Sequence, residues 1–197
     1  MAVVHLVRHA RHGDYGRVLS GRSDARLTPE GEREARALAA WMARRGLTRL
    51  ETSPRPRARQ TADAIGAACG LSVEVSPALE EIDFGAWTGR SFAELGPDPE
   101  WRRWNAQRSQ ARPPGGESQA EAIARADGHV RALAAAAPDA VAALVTHADI
   151  IRGLVVHHLG LGAQALLRFD ADAASVTTLV LDGGGARLAG LNVKGWE

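Results

Sequence analysis

Short apolar runs alternate with helical patterns along most of the chain. Two such runs, at residues 3–7 and 141–145, are followed directly by polar residues. Runs of this length are typical of parallel strands buried on both faces. With the weaker runs included, the pattern predicts six strands, at residues 3–7, 47–50, 71–75, 141–145, 176–181 and 186–193. The last two strands flank a triple-glycine turn at residues 183–185.

Four helices are predicted between these strands. Thr followed by Pro, and Ser placed three residues before Glu, are N-terminal capping signals, whereas Gly and Pro end helices. These signals and the apolar spacing predict helices after Thr28 and before Gly46, from Ala58 to the closing Gly70, between Ser118 and Pro138, and from about Asp149 to Leu159.

Residues 83–116 interrupt this alternation. Nine Gly and Pro residues divide a segment rich in Trp and Arg, which is typical of a loop-rich insert or lid. The repeated strand–helix units around it predict an α/β fold, a three-layer α/β/α sandwich with a mainly parallel central sheet. We expect residues 1–197 to form a single domain, because the length suits one and no second domain is indicated.

Composition limits the class of protein further. The chain is 45% apolar and 24% charged, so a core can form without metals or disulfides. Cys69 is the single cysteine, which excludes an intrachain disulfide and favours a reducing compartment. Neither an export signal nor a membrane-spanning run is indicated, so we expect a cytoplasmic protein.

The charge is distributed unevenly. Residues 1–60 hold thirteen Arg against six acidic residues, although the net charge of the whole chain is only +1. This excess predicts an anionic partner. A nucleic-acid surface would add lysines, but Lys194 is the only one. We therefore expect a small anion, bound by guanidinium groups whose planar fork matches phosphate oxygens.

Chemically useful side chains follow the predicted strands. Arg8 and His9 follow the first strand, Arg57 lies shortly after the second, and His147 follows the strand at residues 141–145. Since parallel strands end at one edge of a sheet, these side chains should meet there. Glu81 can reach the same edge.

This set suits phosphoryl transfer without a metal. A neutral imidazole attacks phosphorus through one nitrogen while the other donates its proton, and His9 is placed for this step. Arg8, Arg57 and His147 can stabilise the charge on the transferring group. Glu81 is the first choice to protonate the leaving alkoxide.

Each residue also has a structural explanation when it is taken alone. His9 and His147 could be hydrogen-bonded core histidines, and Glu81 lies in an acidic run with Asp83, the reserve proton donor, that could be solvated surface. The order of several motifs along the chain decides between these interpretations.

Several segments between residues 3 and 152 together resemble the histidine phosphatase superfamily, also called the phosphoglycerate mutase-like proteins. They are Leu6-Val7-Arg8-His9, residues 21–31, residues 53–62, residues 81–87, Gly115-Gly116-Glu117-Ser118 and Val145-Thr146-His147. The resemblance implies catalytic His9, Glu81 and His147, phosphate-binding Arg8, Arg57 and His147, and possible substrate contacts at Ser20, Gly21 and Arg22. Of these, Arg22 could reach a second anionic group.

The chain departs from the family pattern around the substrate. Ala10 replaces a usual Gly, Tyr15 an Asn and Thr88 a Glu; Arg11-His12-Gly13 is also unusual, and Asp149 lies where a small residue is frequent. Phosphoryl transfer is therefore expected, while the identity of the substrate cannot be carried over.

The leading hypothesis is a metal-independent phosphatase that hydrolyses a small phosphorylated metabolite through a phosphohistidine on His9. One alternative is a phosphoglycerate mutase-type transfer, which usually requires a larger insert, and another is a non-catalytic phosphate-binding module. No metal, other cofactor, nucleic acid or membrane is expected as a partner, and the oligomeric state stays open.

Overall fold

A six-stranded mixed sheet organises the chain. The computed structural model describes residues 1–183 and 185–196. The strands are β1 (Ala2–Arg8), β2 (Arg49–Thr52), β3 (Glu74–Val75), β4 (Val141–Thr146), β5 (Val176–Asp182) and β6 (Gly185–Val193). Their order in the sheet is β3-β2-β4-β1-β5-β6. The first four in this order are parallel to one another. β5 runs antiparallel to β1, and β6 runs antiparallel to β5. The mainly parallel sheet is therefore confirmed.

Six α-helices are found in the described part of the chain. They are α1 (Pro29–Met42), α2 (Pro56–Cys69), α3 (Phe92–Leu95), α4 (Pro99–Ala106), α5 (Gln119–Ala136) and α6 (Ala148–His158). The Thr28 hydroxyl caps α1, a Ser118–Glu121 capping box begins α5, and Gly70 ends α2 in the left-handed conformation. None of the described helices is both long and apolar enough to cross a membrane.

The helices cover both faces of the sheet. Val4 and Leu144 belong to an apolar cluster with buried residues of α5 and α6. Val7 and Val145 belong to a second cluster with buried residues of α1 and α2. The expected three-layer α/β/α sandwich is therefore confirmed, with β1 and β4 contributing to both clusters.

The predicted loop-rich insert contains more regular structure than its Gly and Pro content suggested. Both α3 and α4 lie within residues 83–116, and Trp104 is completely buried. A capping box at Ser91 begins α3, and Asp98 followed by Pro99 begins α4. The capping signals that identified the longer helices were therefore present here too.

Two predicted strands are shifted or shortened. The run at residues 47–50 becomes β2 at Arg49–Thr52, which includes the buried Glu51, paired with His129 at 2.5 Å. The run at residues 71–75 pairs only at Glu74–Val75. The predicted turn between β5 and β6 includes Gly184, which lies outside the described residues.

The N-terminus of α1 lies against the backbone that follows β1. The backbone N–H of Arg11 donates to Glu34 Oε2 at 2.9 Å, and the N–H of Thr28 donates to the Arg11 carbonyl at 3.1 Å. A Cβ added to Gly31 would overlap that same carbonyl oxygen. Only glycine therefore permits this close approach.

We predict that Gly31→Ala destabilises the fold by about 1–3 kcal/mol, because the added methyl group must displace the Arg11 backbone. Thermal unfolding should shift down by about 3–10 °C. Gly128→Ala is the matched control, since this α5 glycine has no atom near the position of an added Cβ. Its helix propensity should raise stability by about 0.5–1 kcal/mol. An equal rise for both variants would contradict the proposed close packing.

Candidate active site

The predicted side chains meet at the carboxyl edge of the parallel strands. Arg8 ends β1 and His9 follows it, while His147 is the N-cap residue of α6 directly after β4. Arg57 lies in the first turn of α2, after β2. Glu81 follows a single 3₁₀ turn at Pro77–Leu79. These residues are far apart in the sequence, but the sheet places them at one edge of the fold.

Arg57 lies between the two histidine rings. Its Nε is 3.1 Å from His9 Nε2, and its Nη2 is 3.2 Å from His147 Nδ1. The remaining N–H groups donate to the carbonyls of Gly21 and Ser23, at 2.5 and 2.9 Å. The guanidinium plane is therefore fixed by four partners on three segments of the chain.

These contacts assign the histidine tautomers. A guanidinium group only donates hydrogen bonds, so His9 Nε2 and His147 Nδ1 must both accept. The proton of His9 is then on Nδ1, which donates to the Ala10 carbonyl at 2.9 Å. The proton of His147 is on Nε2, which donates to the Ser53 hydroxyl at 2.8 Å. His9 Nε2 consequently carries the unprotonated electron pair that a nucleophile needs.

Both rings are neutral near pH 7. Burial, followed by the charge of Arg57, holds the pKa of His9 and of His147 well below the usual 6.5. Burial also lowers the pKa of Arg57 to about 10, which still leaves the guanidinium charged. The arrangement thus joins a neutral nucleophile to a fixed cation, which suits attack on an anion.

A cavity of about 410 Å³ opens beside these groups, and Arg8, His9, Arg57 and Glu81 line it. Arg8 Nη1 donates to the Ala171 carbonyl at 2.6 Å. His147 is completely buried and reaches the cavity wall through Arg57. The cationic groups are therefore placed around the His9 ring, where an oxyanion would be stabilised.

Glu81 is the buried carboxyl group of this cavity. Its Oε1 accepts from the backbone N–H of Ile82 at 3.0 Å. Burial first, and the negative charge of Asp149 second, raise the pKa of Glu81 to about 7. A carboxyl group with this pKa can both donate and accept a proton near neutral pH.

Asp149, also in this cavity, is in a different electrostatic environment. Its Oδ2 is 2.9 Å from Arg108 Nη1, and its Oδ1 is 3.4 Å from Arg152 Nη1. Burial alone would raise the pKa of Asp149, but the two guanidinium groups lower it overall. Asp149 is therefore ionised at neutral pH.

The three expected substrate contacts differ in position. Ser20 and Gly21 line the cavity. Arg22 is not among the lining residues, and its guanidinium contacts Glu117 at 3.0 Å and Asp83 at 3.5 Å. Arg22 is thus paired with carboxylates, and its Nε donates to the Glu81 carbonyl at 3.0 Å. Its contact with a second anionic group stays a prediction.

Several cavity residues were not identified as candidates from the sequence. Besides the arginine pair around Asp149, aromatic side chains form much of the outer wall, namely Tyr15, Phe84, Phe92 and Trp101. His12 also lines the cavity, with its ring centroid 5.1 Å from that of His9. Tyr15, His12 and Asp149 were visible as departures from the family pattern, whereas Arg108 and Phe92 had no such signal.

Within residues 1–183 and 185–196, no cluster of three or more His, Cys, Asp or Glu side chains is arranged to hold a metal ion. The charged groups that could hold an anion are the guanidinium groups of Arg8 and Arg57. The arrangement can therefore bind an oxyanion next to a neutral imidazole and a buried carboxyl group.

Comparison with known proteins finds a matching family model and similar proteins. The family model of the histidine phosphatase superfamily (branch 1) matches residues 4–194. A probable phosphoglycerate mutase, GpmB of Cronobacter sakazakii, is 34% identical over 180 residues, which cover 90% of this chain and 84% of that protein. A bifunctional protein of Mycobacterium tuberculosis is 36% identical over 160 residues, and these cover 80% of this chain but only 44% of that larger protein.

A solved structure gives the same fold. It is the mycobacterial glucosyl-3-phosphoglycerate phosphatase in complex with inorganic phosphate, and it superposes with a TM-score of 0.87. The two chains are 27% identical, and the alignment covers 99% of each. The α/β sandwich predicted from the sequence is thus the fold of a known phosphatase.

The raised pKa of Glu81 has a consequence for stability. The folded protein holds this proton up to a pH of about 7, whereas the ordinary pKa is 4.5. Because the folded state holds this proton in that window, the contribution of Glu81 to stability should fall as the pH rises from about 4.5 to 7.

We predict that Glu81→Gln is more stable than the wild type at pH 8, by about 3 kcal/mol, because glutamine cannot ionise. The two proteins should unfold at similar temperatures near pH 4. Glu80→Gln is the control, since Glu80 Oε1 lies 2.6 Å from Arg55 Nη2 and its loss removes an ion pair. Thermal unfolding at several pH values measures the difference, and a Glu81→Gln variant less stable than the wild type at pH 8 would refute it.

Proposed function

The chain belongs to the histidine phosphatase superfamily, and we propose that it is a metal-independent phosphomonoesterase acting on a small phosphorylated metabolite. Its family and its relatives support a phosphoryl-transfer enzyme. In this proposal His9 is the nucleophile, Glu81 the proton donor, Arg8 and Arg57 bind the phosphate, and His147 contributes through its contact with Arg57 Nη2.

The observation that carries the proposal is the position of Arg57. Its N–H groups lie 3.1 Å from His9 Nε2 and 3.2 Å from His147 Nδ1. A phosphate placed against His9 Nε2 would accept these same N–H groups through its oxygens. The cation that now orients the nucleophile would then stabilise the transferring group.

In the first step His9 Nε2 attacks phosphorus. The N–P bond forms while the bond from phosphorus to the ester oxygen breaks, and the electron pair leaves with that oxygen. Glu81 gives its proton to the resulting alkoxide. The Nδ1 proton stays hydrogen-bonded to the Ala10 carbonyl, which keeps the ring oriented.

In the second step water attacks the phosphohistidine. Glu81, now a carboxylate, accepts a proton from the water, and the N–P bond breaks as its electrons return to His9 Nε2. Inorganic phosphate leaves and Glu81 is protonated again. A pKa of about 7 suits both roles of Glu81.

A mutase is the second candidate, because a relative that is 34% identical is named a probable phosphoglycerate mutase. The outer cavity favours hydrolysis. Its basic side chains Arg108 and Arg152 both pair with Asp149, and Arg22 is held by Glu117 outside the lining. A phosphoglycerate carboxylate would therefore have to compete with Asp149 for Arg108 and Arg152.

We predict that the purified protein releases inorganic phosphate from phosphomonoesters in the presence of EDTA. It should not convert 3-phosphoglycerate to 2-phosphoglycerate when a bisphosphate primer is supplied.

His9→Ala should lose at least about 10³-fold in kcat, since the covalent intermediate cannot form. His129→Ala, which changes a histidine paired with Glu51, should keep its activity. Isomerisation of phosphoglycerate without phosphate release would favour the mutase, and phosphate binding without turnover a binding module.

The role of Glu81 predicts a dependence on the leaving group. Glu81→Gln should slow hydrolysis of alkyl phosphates by about 10²-fold or more, because their alkoxides need a proton. Hydrolysis of p-nitrophenyl phosphate should fall much less, since p-nitrophenolate leaves without protonation. Steady-state rates on both substrates test this, and equal losses would exclude Glu81 as the acid.

A further inference from the structure

Asp149 is a buried carboxylate in the active-site cavity to which the proposed reaction gives no role. It lies in the first turn of α6, two residues after His147, and lines the same cavity as Glu81. The sequence shows a departure here, because the family often has a small residue. A buried charge at this position is costly unless other groups hold it.

Three side chains from three parts of the chain hold Asp149. Arg108 follows α4 in the insert and contacts Oδ2 at 2.9 Å, and Arg152 contacts Oδ1 from the next turn of α6. Gln119, at the start of α5, donates to the Asp149 carbonyl at 3.4 Å and accepts from Arg108 at 3.3 Å. The Arg108 guanidinium also lies 5.2 Å from the Trp104 ring. The negative charge is thus fixed in place.

The two carboxyl groups of the cavity have opposite surroundings. Asp149 is in ion pairs with two guanidinium groups, whereas the hydrogen bond found for the Glu81 carboxyl comes from a backbone N–H. When two carboxyl groups share a buried site, the proton stays on the one with fewer cationic partners. That group is Glu81.

Charged groups from several elements surround Glu81, including Arg22, whose Nε donates to the Glu81 backbone carbonyl at 3.0 Å. Asp149 on α6 favours the protonated form, while Arg57 on α2 and Arg8 on β1 favour the ionised form. Burial adds to the effect of Asp149. The two arginines are required for phosphate binding, so Asp149 is the charge that can offset them without occupying the phosphate site.

We propose that Asp149 is a positioning residue for catalysis: held by Arg108 and Arg152, its fixed negative charge controls the protonation of the Glu81 carboxyl in the same cavity, and Arg108 ties this control to the insert. The inference rests on the proposed function, because it assigns a role to Asp149 in the same reaction. Asp149 itself stays ionised and transfers no proton.

A purely structural role makes a different prediction. If the Arg108–Asp149 pair only fastens the insert to α6, its loss lowers stability and activity at every pH to a similar extent. If Asp149 acts through Glu81, its loss also moves the pH at which Glu81 ionises. The pH profile therefore separates the two roles.

The test compares Asp149→Asn with the wild type in kcat/KM for an alkyl phosphate between pH 5 and 9. We expect the alkaline limb to move to lower pH by about one unit, because removing a nearby negative charge favours ionisation of Glu81. Ionisation of the substrate is common to both proteins and cancels. Asp149→Glu, which keeps the negative charge, should keep the alkaline limb at the pH of the wild type.

Asp127→Asn is the matched control. The Asp127 side chain is 14% exposed, close to the 12% of Asp149, and it pairs at 2.7 Å with Arg131 four residues along its helix. It does not line the cavity. Its replacement should leave the pH profile unchanged.

A measurement without turnover separates this inference from the proposed function. Carboxyl carbon NMR of the Glu81 side chain, assigned by its loss in Glu81→Gln, follows the ionisation directly. We expect the Glu81 midpoint to fall in Asp149→Asn and to stay in Asp127→Asn. An unchanged midpoint in folded Asp149→Asn would overturn the inference even if the enzyme is a phosphatase. A shifted midpoint in a protein without phosphatase activity would instead refute the proposed function.

Discussion

The active site depends on one buried guanidinium group held between two neutral imidazoles. Arg57 is 1% exposed, and its N–H groups contact both histidines and two backbone carbonyls. Because it can only donate, it fixes the tautomer of each ring and leaves the electron pair of His9 Nε2 without a proton. Burial first, and the charge of Arg57 second, keep both rings uncharged. In the proposed reaction this one side chain, in the first turn of α2, also orients the nucleophile and binds the phosphate.

Several cations in a buried site lower the pKa of any carboxyl group beside them, and the surroundings of Glu81 oppose this effect. Arg8 and Arg57 favour ionisation of any acid nearby, yet a proton donor must keep its proton near neutral pH. Burial of Glu81 and the fixed charge of Asp149 oppose that tendency. Arg108, from the insert, keeps Asp149 charged. The insert therefore contributes a buried ion pair to the electrostatics of the site as well as an aromatic wall.

Local signals in the sequence were sufficient for most of the fold. Apolar runs and caps predicted all four long helices and the central strands. The strands were visible because burial on both faces leaves β1 and β4 largely apolar. The hydrophobic pattern misplaced β2, because this strand contains the buried polar residue Glu51. It also missed the helices of the insert, where the buried Trp104 lies among Gly and Pro residues. Capping residues at Ser91 and Asp98 could have revealed the two short helices.

The sequence by itself determined which groups lie after each strand, since chain order and strand direction bring Arg8, His9 and His147 to one edge. Only the tertiary structure decided which neighbouring charges face the cavity. In the structure Arg22 contacts Glu117, and Arg108, which no motif identified, pairs with Asp149 in the cavity. The physical reason is that the end of a long side chain is placed by ion pairs between distant segments, and these leave no periodic signal in the sequence.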